Sequence, residues 1–172
     1  MISSLKKLAV AGVLIGGFAQ AETVELQFVD ANGNLGPAGK IMYEDTQYGL
    51  LLTPDLSGLP AGVHGFHVHP NASCAPGMNN GVPTAAFAAG GHWDPDKTNT
   101  HLGPYANGHK GDLPALYVTA DGKATYPVLA PRLKAADLKG HALMVHAGGD
   151  NHSDHPLPFG GGGARMACGV VS

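Results

Sequence analysis

The sequence predicts an all-β fold, a sandwich or barrel of short antiparallel strands with two long functional loops. Three observations lead there. Short runs alternate apolar and polar residues, the period of a half-buried strand. The 26 glycines and 13 prolines punctuate those runs and leave few helix signals. Two stretches, 70–114 and 147–163, fit neither a strand nor a helix pattern. Taken in order, Val24, Leu26 and Phe28 alternate with Thr23, Glu25 and Gln27 in the first strand. The run 30–37, Asp-Ala-Asn-Gly-Asn-Leu-Gly-Pro, reads as a turn. Residues 40–44, 48–52 and 63–69 read as further strands. Residues 116–119 and 123–128 flank Asp121-Gly122, a hairpin signal. Residues 132–138 suit one short helical turn, and 142–146 and 164–170 complete the strands. Unstructured loops as long as the two exceptions are uncommon in compact domains and are usually functional.

The chain opens on a secretory signal. Lys6 and Lys7 precede an apolar run, 8–18, too short to span a bilayer as a helix. Ala19-Gln20-Ala21 is a small-x-small cleavage site, so residues 1–21 are expected to be removed and 22–172 to form one exported domain. No cysteine stands directly after the cleavage site, where Glu22 follows Ala21, and no later apolar run is long, so no membrane anchor is expected. Loss of Lys6 and Lys7 takes the formal charge from −3 to −5, because residues 1–21 carry no acids. An acidic domain is a poor partner for nucleic acid. In an oxidising compartment Cys74 and Cys168 are most simply one disulfide. Closing so long a loop stabilises by ~4–5 kcal/mol in the chain-entropy picture. Free thiols or metal ligands are the alternative, which the lack of a C-x-x-C spacing disfavours.

The chemistry lies in His67, His69, His92, His101, His109, His146 and Asp112. His67 and His69 stand two apart on a strand, so both imidazoles face one way and Val68 the other. Six histidines with one carboxylate suit copper or zinc. Six segments carry a more specific message: Gly-Val-His-Gly-Phe-His-Val-His at 62–69, Gly-Gly-His-Trp-Asp-Pro at 90–95, His-Leu-Gly-Pro at 101–104, Gly-His-Lys-Gly-Asp-Leu-Pro at 108–114, Leu-Met-Val-His-Ala-Gly-Gly-Asp-Asn at 143–151, and Gly-Gly-Gly-Gly-Ala-Arg-Met-Ala-Cys-Gly at 160–169. In this order they resemble the exported bacterial copper/zinc superoxide dismutases.

That resemblance implies a Greek-key β-barrel, or immunoglobulin-like sandwich, that dismutes superoxide to oxygen and hydrogen peroxide in the periplasm. It implies copper on His67, His69, His92 and His146, and zinc on His92, His101, His109 and Asp112. His92 would bridge the two metals. Asp150 would link His67 to His101 and orient both, as partners of metal ligands commonly do. His64 would brace the backbone behind the site, and Arg165 would hold the superoxide anion at the channel mouth. Lys97 and Lys110 are candidates for steering it. Trp93 is read as a core plug or as a contact between two copies, with the contact preferred. Tyr105 would join it in a homodimer. His141 is expected at a strand end, and His152 and His155 in solvent. The competing function is a protein that buffers or delivers copper or zinc without turnover. Cysteine or methionine ligands would suit such a carrier better.

Overall fold

The computed structural model describes residues 21–172. The signal-peptide expectation for 1–21 falls, except for Ala21, outside them. Twelve strands run in chain order: β1 Glu22–Asp30, β2 Gly33–Thr46, β3 Gly49–Ser57, β4 Gly62–His64, β5 Phe66–His69, β6 Gly77–Asn79, β7 Val82–Thr84, β8 Leu116–Val118, β9 Lys123–Ala124, β10 Val128–Ala130, β11 Ala142–His146 and β12 Arg165–Val170. One curled antiparallel sheet has the order β10-β3-β2-β1-β12-β11-β5, with β9 against β3. The last strand lies beside the first of the β1–β2–β3 meander, a Greek-key order. A ribbon of β4 and β8 adds leucine and valine side chains to the same core, and β6 and β7 form a separate hairpin.

Strand alternation divides the molecule into an inside and an outside. Phe66 and Val68 of β5 and Leu143 and Val145 of β11 enter the main core with Leu26, Ile41, Leu50 and Leu116. The other faces of β5 and β11 point outward. There His67 pairs across with Met144, and His69 with Ala142. Cys168 lies opposite Met144 on the same outer face. A second apolar cluster covers this face: Ala142, Met144 and Cys168 pack under Ala86 and Ala89 of the first long loop. The Cys74–Cys168 disulfide pins that loop down across 94 residues of sequence. The two loops therefore roof the outer face of the sheet, and the metal-ligand candidates lie beneath the roof.

Several strand boundaries differ from expectation, each for a local reason. The run 30–37 is not one turn. The chain reverses at Ala31-Asn32, and β2 then continues with two irregularities, where Leu35 and Ala38 are the extra residues against β1. The expected strand 63–69 breaks at Gly65. Its first part pairs with β8 and its second with β11. The run 123–128 is interrupted at 125–127, where Pro127 offers no N–H to a ladder. The helical turn is present as a 3-10 turn at Ala135–Leu138. The first long loop contains the β6–β7 hairpin and a 3-10 turn at Phe87–Ala89, so it is less irregular than its sequence suggests.

Candidate metal centre

Two sets of side chains converge, one on strands and one mostly on the loop. His67 and His69 come from β5 and His146 from the end of β11. A bulge on β12 sets the geometry of that end. Val145 pairs with Ala167, but His146 pairs with Arg165, so Met166 is skipped and Arg165 stands opposite His146. The loop donors are knitted to the free edge of β5 by backbone bonds. Trp93 N–H donates to Val68 O (2.8 Å), Val68 N–H to Gly111 O (2.8 Å) and Gly111 N–H to Trp93 O (2.8 Å). These bonds place His92 and Asp112 beside His67. A Cβ on Gly111 would come within 2.4 Å of Val68 O, so only glycine lets the strands approach this closely.

All seven donors are buried, His92 being the most exposed at 9%. The ring nitrogens sort themselves. His69 Nδ1 faces Gly90 O at 2.9 Å and His146 Nδ1 faces Gly163 O at 3.2 Å. Their Nε2 atoms then meet each other at 3.4 Å. His67 Nε2 faces Asp150 at 2.8 Å, which leaves its Nδ1 for the same space. On the other side, Asp112 Oδ1 lies 3.0 Å from His92 Nδ1, 3.0 Å from His101 Nδ1 and 3.4 Å from His109 Nδ1. Four donors held at about 2.0 Å from one zinc ion stand about 3.3 Å apart along the edges of the tetrahedron. The spacing fits. His67 also comes within 4.8 Å of His92, His101 and Asp112, but with its Nε2 committed to Asp150 it belongs with the first set.

The chemistry of the orphaned atoms points the same way. Nδ1 of His67, His101 and His109 are buried and make no hydrogen bond. His101 and His109 lie close to Asp112 but out of line for one. A buried nitrogen left so costs about 1–3 kcal/mol. Three in one cluster suit metal ions, which take that lone pair.

Charge and burial reinforce this. Burial pushes the protonation of His67 and His69 well below the usual histidine range, with His92 adding to the effect. Burial also lowers His92, and lowers His146 to about 4. These rings are therefore neutral at neutral pH, as metal ligands must be. His101 is the exception. Burial lowers it, but the Asp112 and Asp150 carboxylates outweigh burial and raise it to about 9. Burial works against ionisation of Asp112 and Asp150 as well, yet their histidine partners hold both well below the usual carboxylate range.

Around the donors, Asp150 joins the two sets. Its Oδ2 lies 2.8 Å from His67 Nε2 and its Oδ1 2.7 Å from His101 Nε2. Gly160 passes directly over this pair. A Cβ there would come within 2.1 Å of Asp150 Oδ1, and its φ is +72°, so the position admits glycine only. His64 spans the backbone behind the site, Nδ1 2.9 Å from His146 O and Nε2 2.8 Å from Pro60 O. Over the strand-borne set opens a cavity of about 440 Å³, lined by His69, His92, His146, Phe87, Phe159 and Arg165 among others. Arg165 donates to Ala86 O and Gly90 O, carbonyls of the loop that the disulfide pins. Gly90 O thus receives both Arg165 and His69.

Some residues occupy other places than expected. Trp93 is half-buried against the main core, with His141 at 4.5 Å from its ring and Lys110 Nζ at 4.9 Å above it. Lys110 also pairs with Asp137 at 2.8 Å, and neither it nor Lys97 lines the cavity. His152 and His155 are exposed and His141 precedes β11 directly, each as expected, and Tyr105 is exposed too.

Three residues that hold or face the candidate donors gave no sequence signal. Arg132 donates to the carbonyls of Gly103, Pro104, Gly108 and His109 (3.2, 3.0, 3.1 and 2.6 Å) and clamps the loop between His101 and His109. Asp154 accepts from His101 N–H and Phe159 N–H. Phe159 lies 5.0 Å from the His92 ring. In each case the partner is backbone or a distant ring, which no motif encodes.

Comparison with known proteins agrees with this geometry. The model of the copper/zinc superoxide dismutase family matches residues 38–171. The chain is 58% identical over 167 residues to superoxide dismutase (Cu-Zn) 1 of Salmonella typhimurium, covering 94% of each chain. In structure it is similar to the Cu/Zn superoxide dismutase from Brucella abortus, with a TM-score of 0.87 and 48% identity over 89% of this chain and 100% of that one. It is similar as well to the monomeric copper, zinc superoxide dismutase from Salmonella enterica, with a TM-score of 0.80 and 52% identity over the same shares. The chain belongs to the copper/zinc superoxide dismutase family.

Proposed function

We propose that this protein dismutes superoxide with copper held by His67, His69, His92 and His146, and zinc held by His92, His101, His109 and Asp112. The observation that carries the assignment is the place of His92. Its Nδ1 lies against Asp112 at 3.0 Å, while its ring packs on His67 at 3.8 Å on the side of the first set. One imidazole thus faces both sets. Copper held there would supply one-electron redox chemistry, the oxidation of one superoxide to oxygen balanced by the reduction of a second, which with two protons becomes hydrogen peroxide.

The chain's residues do the rest. Asp150 fixes the tautomers of His67 and His101, turning both Nδ1 atoms inward. Gly90 O and Gly163 O do the same for His69 and His146, turning Nε2 inward. His92 Nε2 is the atom we assign to accept a proton and pass it to the departing peroxide. Arg165, cationic at the cavity wall, draws the anion toward His146 and His69. The domain remains acidic overall, so attraction has to be local.

A metal-buffering protein without turnover is the less favoured reading. Donors this buried release ions poorly, and a buffer has no use for an arginine set by a bulge against His146. We further propose that residues 22–172 form one exported domain, consistent with bacterial relatives and with an intact disulfide. Among the described residues no helix is long and apolar enough to cross a membrane. The homodimer expected through Trp93 and Tyr105 retains only Tyr105 as an exposed anchor. The Salmonella enterica relative is described as monomeric.

The test is superoxide removal by copper- and zinc-loaded protein, with cyanide as a copper-site inhibitor. Arg165 sharpens it. Arg165→Glu should lower turnover well below Arg165→Ala, with Arg165→Lys between Ala and wild type, at unchanged metal content. Wild-type activity should fall with salt, since screening sets in over a Debye length of about 10 Å at 0.1 M. The Glu variant should fall less or rise. Equal rates in all variants would remove Arg165 from the mechanism.

A further inference from the structure

Phe159 is a large apolar residue, 46% exposed, in a left-handed backbone conformation with φ +56°. That conformation favours glycine, and four glycines follow at once, three of them also at positive φ. A phenylalanine held there against backbone preference points to a use for its ring. Asp154 holds the position. One carboxylate oxygen accepts Phe159 N–H at 3.1 Å and the other accepts His101 N–H at 2.8 Å, so the ring is registered to a zinc-side donor. The ring lies 5.0 Å from that of His92 and 5.8 Å from that of His109, and it forms part of the cavity wall. His69, His92, His146 and Arg165 line the same cavity. His109 does not.

We propose that Phe159 is a specificity-determining residue that divides the cavity: its ring screens the zinc-side imidazole His109, while His92 stays open to the cavity on the copper side, so that a small anion reaches the copper side while bulky polycarboxylate ligands are kept from the zinc. The proposal rests on the metal assignment above.

The test uses copper- and zinc-loaded wild type, Phe159→Gly and Phe159→Leu. Glycine suits the left-handed backbone, so removing the ring by this substitution also relieves strain and the fold is retained. Zinc release into EDTA is followed by metal analysis of the desalted protein at timed intervals. Azide binding at copper is followed by its visible band. Phe159→Gly should lose zinc about tenfold faster than wild type, the lower end of what outer residues contribute to a metal site. Phe159→Leu should lie between them, and azide affinity should stay the same in all three. Zinc loss at the wild-type rate in Phe159→Gly overturns the proposal, as does an azide shift as large as the change in zinc release. A wild type that fails to retain zinc sinks the metal assignment itself, and the proposal with it.

Discussion

The two halves of the metal centre are built by different means. His67, His69 and His146 stand on strands whose inner faces fill the main core, so the sheet register fixes them. His92, His101, His109 and Asp112 stand on a loop that has no core of its own. That half is held by backbone bonds to the edge of β5, by the four bonds of Arg132, by Asp154 and by Asp150. A strand positions a ligand as a by-product of folding. A loop does so only when polar groups dedicated to the purpose tie it down. The strand half should therefore keep its shape without metal better than the loop half.

The most severe way to break this division is to remove the residue shared by both halves. His92→Ala should abolish most turnover and reduce both metals, with a disturbed copper spectrum. Normal metal content and near-normal rate would show that the halves do not share it. Next comes the carboxylate that joins them. Asp150→Asn keeps every donor yet weakens the orientation of His67 and His101, a change expected to cost ~10–100-fold in metal affinity or activity. Zinc should fall more than copper, because His101 lies on the loop while His67 is also held by its strand. Equal loss of both metals under chelator challenge would contradict the division.

Arg132→Met reaches the loop half alone. Zinc affinity should drop by about tenfold with copper retained, read by metal analysis after dialysis against chelator. The smallest effect is the pH response of the metal-free protein. His146 is lowered to about 4 and His67, His69 and His92 are depressed as well, burial being the first cause in each, so in the window that opens below about pH 6.5 the unfolded chain binds protons that the folded one refuses. Stability should fall as pH falls through that window. His101 acts oppositely: raised to about 9, it stabilises fully below about 6.5 and loses that contribution as pH rises through 9. Thermal melts should therefore peak near pH 6.5, and a flat profile would count against the burial argument.

Much of the centre was legible because ligand chemistry is carried by residue type. His67-Val68-His69 announces itself through the two-residue period of a strand, and Asp150 through its sequence context. The strand pattern gave the all-β class for the same reason. What remained hidden depends on position in space. Gly65 splits an apparently continuous strand between two partners. The skipped Met166 turns Arg165 toward His146. Arg132 acts on carbonyls, which every residue possesses, so nothing in the sequence marks its targets. Trp93 looked like a surface contact because its partners, Lys110 and His141, approach from distant segments. Local pattern reports the period of an element and the chemistry of its side chains, but not which neighbour the backbone will choose.

In the proposed assignment Asp150, with one oxygen on each half, couples the two metal sites, and that coupling is reciprocal. Whatever factor zinc contributes to copper affinity by fixing His101, and through Asp150 the ring of His67, copper must return to zinc, because the coupling free energy belongs to the pair. A cell that supplies one metal therefore changes the protein's grip on the other. Partial metallation should appear as a bias toward filled pairs and empty pairs, rather than a random mixture of half-filled sites.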